Sequence, residues 1–275
     1  MRHNPSARSI RPLSWENLGA RRPSQALRET LWDLAGDPAR FFDRMAVSGG
    51  LYEPIGFLWI FLTAIILPAF PLALAHFGIT APAPDRVSVA VYNYHLLLPR
   101  ATGIIAALLP LALVAGTAWA LLCGTLLHLG SIPFGGGQWE GAVSVWCYSV
   151  SAALAPLSVG LALAAAVTAT CYFLSTSFPA AATAGRLAAY ILLGLGTLAG
   201  LVWFMVCLFT GCARALGLPG TRGAAAGLFG LLLCALTLGG WPLAGFLWGA
   251  RGTGGFAAGL TVLVIFLVSA KGSKQ

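Results

Sequence analysis

The sequence predicts an all-α fold: a polytopic integral membrane helical bundle of five or six spans, preceded by short N-terminal amphipathic interfacial helices. Three observations carry this. Apolar stretches near 55–75, 103–129, 143–173, 187–209 and 223–249 each reach the roughly 20 residues an α-helix needs to cross a bilayer, and a sixth, 254–270, is of marginal length. Charged residues make up 9% of the chain, against about 25% in soluble domains. With 58% hydrophobic residues and a mean hydropathy of +0.84, too little polar surface exists to cover a water-soluble core. Finally, of the eight acidic residues only Glu140 lies beyond Asp85.

Residues 1–23 carry Arg, Pro, Ser and Asn without periodicity and read as a disordered basic tail. No apolar h-region follows Arg2, Arg8 and Arg11, so no cleavable signal peptide is expected and the first span acts as the insertion signal. Residues 24–48 read as amphipathic interfacial helices. Leu27, Leu31 and Leu34 recur at helical spacing, Gly36 is a stop, and Asp37-Pro38 reads as an N-cap followed by proline at the first helical position. A second short helix follows, with Phe41, Phe42 and Met45 on one side and Arg40, Asp43 and Arg44 on the other. Such helices are expected at the membrane surface, apolar side down. Trp32, Arg40, Phe41, Phe42 and Arg44 are the expected membrane-interface residues, serving either as a tether or as a docking surface.

The transmembrane domain is expected over 51–270. Its first span contains Pro68 and Pro71, tolerated in membrane helices because neighbours re-satisfy the freed carbonyls. Residues 78–100 form the longest predicted loop, with Tyr92, Tyr94 and His95 suited to an interfacial belt. The second span carries Pro110 and the small-residue row Gly116, Ala120, Gly124. Ser131 to Gly141 is a glycine-rich connector, without the lysine or preceding strand of a phosphate-binding loop. The third span is the most polar, with Tyr148, Ser149, Ser151, Ser158, Thr168 and Thr170 around Pro156. The fourth contains Gly196-x-x-x-Gly200, a spacing that allows close helix approach and is expected to serve internal packing. A five-span version, with the last apolar segment re-entrant or merged with the fifth, stays open.

Charge placement sets orientation. With six crossings and the N-terminus inside, twelve basic residues face inward and Arg86, Arg100, Arg186 and Arg251 outward, as the positive-inside bias requires. Half of the sixteen basic residues fall within the first 44 positions, where they suit anionic lipid. No later cluster could track a phosphate backbone, so nucleic acid is not an expected partner. Arginine outnumbers lysine fourteen to two, with abundant Ala and Gly, a composition that points to a bacterial source and hence the inner (cytoplasmic) membrane.

The spans offer little chemistry. None contains Lys, Asp or Glu, which disfavours a carboxylate-based proton-coupled transporter. The six cysteines form no C-x-x-C pair and keep no spacing with a histidine, so they read as small apolar core residues and no metal or cofactor is expected. No H-E-x-x-H or paired-aspartate motif occurs, and Ser149 and Ser151 have no base to activate them. Hydroxyls in membrane helices more often bond their own backbone or a neighbouring helix. No enzyme activity is expected. Pro156 frees a carbonyl one turn back, near Ala152, and permits a kink. Either that kink serves packing, or it opens a small polar pocket lined by Tyr148, Ser151 and Pro156 for a lipid or partner helix.

Three passages resemble the YIP family, the Ypt/Rab-GTPase-interacting type of multispanning membrane protein. They are Asp37-Pro38-Ala39-Arg40-Phe41-Phe42 before the first span; Trp139-Glu140-Gly141 leading to Cys147-Tyr148-Ser149 and Pro156; and Trp203 followed by Gly211 to Leu216. The resemblance covers about 35–245, its motifs are degenerate, and no catalytic signature is among them. It implies a helical bundle, typically of five spans, with a cytosolic N-terminus. In eukaryotes such proteins act in vesicle trafficking by engaging prenylated Rab GTPases. Here it implies a non-enzymatic membrane scaffold or adaptor, with lipids and a membrane-protein partner, self-association included. The alternatives are a small-solute or lipid transporter whose site is formed by proline-broken helices, and an unrecognised membrane enzyme.

Overall fold

The structure, a computed structural model, describes residues 13–16, 22–45, 50–80, 86–174 and 179–239. All regular structure among them is helical: α1 Pro23–Gly36, α2 Pro38–Arg44, α3 Tyr52–Thr80, α4 Arg86–Ser131, α5 Trp139–Leu174, α6 Pro179–Arg214 and α7 Gly220–Gly239. A 3-10 turn at Ile132–Phe134 links α4 to α5. Four helical segments are long and apolar enough to cross a membrane: Ala107–Phe134, Trp139–Cys171, Thr183–Arg214 and Gly220–Gly239. They match the second to fifth expected spans. The first expected span falls within α3, Tyr52–Thr80, and the sixth, 254–270, lies outside the described residues. Four crossing segments are thus identified among the described residues.

The predicted loop over 78–100 differs most from the structure. α3 runs to Thr80 and α4 starts at Arg86, so Tyr92, Tyr94 and His95 belong to a 46-residue helix. Prolines and polar residues suggested a loop, yet no glycine occurs from Arg86 to Thr102. The valines, leucines and alanines there carry no signal that would stop a helix.

Packing divides the chain into two compact units. Of the described residues, the first combines those within 13–57, 119–149 and 205–239; the second combines those within 58–118 and 150–204. In the second, α5 and α6 meet through glycines. A Cβ at Gly160 would lie 2.9 Å from the Leu192 carbonyl oxygen and one at Gly196 3.0 Å from that of Pro156, while one at Gly200 would overlap the Ala153 carbonyl. The Gly196-x-x-x-Gly200 motif thus packs inside the chain, where missing side chains let backbones approach. Large residues point the other way. Leu187, Ile191, Leu195, Leu198 and Val202 of α6 are each more than half exposed. Small residues inside and leucines outside suit a hydrocarbon surrounding, which makes no demand that apolar groups be hidden.

In the first unit α4 and α7 also touch backbone to backbone, since a Cβ at Gly130 would lie 2.7 Å from the Gly230 nitrogen. The glycine-rich connector turns at Gly135, whose φ of +86° is left-handed and favours glycine. Its N–H donates to the Ile132 carbonyl at 3.0 Å. At the N-terminal end, the expected cap is present: Asp37 Oδ1 accepts from the Arg40 N–H at 3.0 Å, and Pro38 opens α2. Asp37→Ala is expected to cost about 1 kcal/mol, read as faster amide exchange over 38–44 with exchange in α5 unchanged.

Candidate functional site

A cluster of aromatic and polar side chains of the first unit gathers where the N-terminal residues meet the start of α5. Within the tail predicted to be disordered, Leu13–Glu16 are packed, and Leu13 and Trp15 are buried. Hydrogen bonds to α1 and α3 hold this strap. The Trp15 backbone N–H donates to Thr30 Oγ1 at 3.0 Å, the Ser14 hydroxyl to Glu29 Oε2 at 2.7 Å, and the Trp15 indole N–H to the Glu53 carbonyl at 2.7 Å. These bonds explain which face of α1 is covered. The buried line runs Ala26, Thr30, Leu34, one edge over from the predicted leucine row, because Thr30 must meet the strap. The Trp15 ring then packs edge-on against Phe57 of α3, at 5.7 Å between centroids.

Tyr148 is the centre of the cluster and is fully buried. Its ring lies 5.1 Å from Phe41 in a T-shaped arrangement and 5.3 Å from Phe57, and Phe41 packs at 5.1 Å on Phe42. Such pairs add about 0.5–1.5 kcal/mol each beyond their area burial. The tyrosine hydroxyl donates to Glu16 Oε1 at 3.4 Å, a long contact. Phe42 fits because Gly211 of α6 is bare: a Cβ there would lie 2.6 Å from Val145 Cγ1 and 3.1 Å from Phe42 Cε1. Around the rim, Arg44 pairs with Asp33 at 2.7 Å and Arg214 with Asp43 at 3.7 Å. The second pair is about half exposed, so it positions more than it stabilises.

The structure divides the predicted interface residues into two groups. Phe41 and Phe42 are 0% and 1% exposed, turned into protein, whereas Trp32 is 80% exposed and Arg40 also faces outward. An aromatic pair beside Tyr148 and the bare Gly211 gains complementary rings that a lipid surface does not offer. Of the predicted pocket residues, Tyr148 belongs to the first unit, while Ser151, fully buried, and Pro156, half-buried, belong to the second. Two regions singled out separately in the sequence, the Phe41-Phe42 helix and the start of the third span, are brought into direct contact. Trp15 and Phe57 were not foreseen as members. The available signal was the pair Leu13 and Trp15, two residues apart in a tail otherwise sparse in large apolar residues.

Ser149 Oγ is buried with no hydrogen-bond partner among the described residues. Among the described residues no group of three His, Cys, Asp or Glu side chains could hold a metal ion, and all six cysteines are free thiols. The site offers aromatic packing, the Glu16 carboxylate and an exposed α1 surface. No protein family, curated protein or solved structure matches the chain.

Proposed function

We propose that the chain is a non-enzymatic integral membrane scaffold or adaptor of the YIP type, set in a bacterial inner membrane with its N-terminus cytoplasmic and five or six spans. The observation that carries this reading is the seating of the N-terminal segment on α5 through Phe41 and Tyr148. A simple tether needs no such fit. A segment fixed by buried rings presents its outer face, with Trp32 and Arg28, in a defined orientation to membrane lipids and a membrane-protein partner. The Asp43–Arg214 pair supports the orientation. It holds the basic N-terminal segment beside the Arg214–Arg222 turn, and the positive-inside bias favours one side for both.

Photo-crosslinking and affinity capture from membranes test the role. Removing residues 1–46, or unseating them with Phe41→Ala and Phe42→Ala together, should remove the same subset of crosslinked partners. An identical partner set for the intact and shortened chains would defeat the docking role. Turnover of a substrate by the purified protein would replace it with an enzymatic reading.

A further inference from the structure

Between α1 and α2, on the outer side of the aromatic cluster, opens a cleft of about 190 Å³. It is smaller than the roughly 300–1,000 Å³ of pockets for drug-sized ligands, and suits a small polar group. Gly36 leaves part of its wall bare, with nothing within 4 Å of where a Cβ would be. The lining mixes charges: carboxylates of Asp33 and Asp37, guanidiniums of Arg40 and Arg44, and the indole of Trp32. Asp33 and Arg44 satisfy each other. Arg40 and Asp37 have no ion-pair partner among the described residues, and both are exposed. Asp37 keeps lone pairs beyond the one that caps α2.

This arrangement selects by charge pattern. A simple anion would meet two carboxylates and a simple cation two guanidiniums. A zwitterion carrying both signs finds an uncommitted partner for each. The indole face attracts a cation, and the Asp37 carboxylate accepts hydrogen bonds, which a primary ammonium donates and a quaternary one does not. Arg40 matches a phosphodiester. A tryptophan left 80% exposed in a chain with four helices apolar enough to cross a membrane belongs at the headgroup level. We propose that the α1–α2 cleft binds the phosphoethanolamine headgroup of a bilayer phospholipid, the phosphate on Arg40 and the ammonium between Asp37 and Trp32. The site rests on the membrane-scaffold reading above and names the lipid class its N-terminal helices recognise.

Native mass spectrometry of the full chain in neutral detergent tests this, with phosphatidylethanolamine, phosphatidylcholine and phosphatidylglycerol of identical acyl chains supplied in equal amounts. Retention of the ethanolamine lipid should exceed the other two by about fivefold or more. Water-soluble glycerophosphoethanolamine in excess should displace it, showing that the headgroup and not the chains is read. Arg40→Gln and Trp32→Ala should each bring the three lipids towards equal retention. Both side chains are exposed, so matching circular dichroism spectra are expected and confine the effect to the cleft. Equal retention by the unaltered chain, a preference for phosphatidylglycerol, or an ethanolamine preference surviving both substitutions overturns the proposal. Release of the chain from membranes by alkaline carbonate overturns the membrane reading as well. Firm membrane retention without headgroup preference overturns the cleft alone.

Discussion

Tyr148→Ala is expected to free the N-terminal segment from the rest of the first unit. The ring is fully buried and touches Phe41 and Phe57 at 5.1 and 5.3 Å, so its loss leaves a cavity that helix ends fixed by α5 and α3 cannot close. Large-to-small aromatic substitutions of this kind cost about 3–5 kcal/mol. Here the loss falls mainly on docking of 13–45, since the apolar exteriors of the spanning helices are untouched. Hydrogen exchange in detergent should show α1 and α2 losing protection while α6 keeps it, and limited proteolysis should cut within 13–45. Tyr148→Phe removes only the hydroxyl, whose 3.4 Å reach to Glu16 is long, and should cost under about 1 kcal/mol. Combining Tyr148→Ala with Phe41→Ala should cost less than the two separately, by about 0.5–1.5 kcal/mol. Unchanged protection of α1 and α2 in Tyr148→Ala would remove the cluster from its place as the docking centre.

Gly200→Leu is expected to disrupt the second unit, and Gly194→Leu to leave it intact. The two glycines lie on the same helix, six residues apart. A Cβ at Gly200 would overlap the Ala153 carbonyl, a backbone group that cannot rotate away, whereas one at Gly194 meets nothing within 4 Å. Overpacking at a tight contact costs about 1–3 kcal/mol, or more when backbone must move. At Gly194 the replacement gains helix propensity of up to about 1 kcal/mol and adds one more leucine to an already apolar surface. Thermal unfolding in a single detergent should place Gly200→Leu well below the unaltered protein and Gly194→Leu at or slightly above it. Equal midpoints for the two variants would mean that α6 does not use its glycines to approach α5.

Much of this architecture was legible in the residues, for reasons that differ between elements. Spans two to five were readable because a bilayer imposes length and apolarity on each helix separately, and no partner need be known. The Asp37-Pro38 cap was readable because its chemistry lies within four consecutive residues. The role of Gly196-x-x-x-Gly200 was readable as internal packing, but its partner positions, Ala153 and Pro156, were not, because the register between two helices leaves no local trace. Phe41 and Phe42 show the same limit at the candidate site. Their apolar side was evident, but whether it would meet lipid or protein depended on Tyr148 and Gly211, more than a hundred residues away. The strap at Leu13–Glu16 was missed because composition averages over a segment, while docking needs only two apolar anchors and a few hydrogen bonds.

The placement of Phe42 against Gly211 has a consequence for how the chain is made. Phe41 and Phe42 leave the ribosome before the residues that seat them: Tyr148 lies 132 residues after Glu16, and Gly211 follows later still. At about 5–20 residues per second, roughly 8–35 seconds separate the appearance of Phe42 from that of Gly211. During that interval Phe42 has no completed seat. The Phe41-Phe42 pair is therefore made well before its seat is complete, and its aromatic side stays open to chaperones and the membrane surface until α6 has been made.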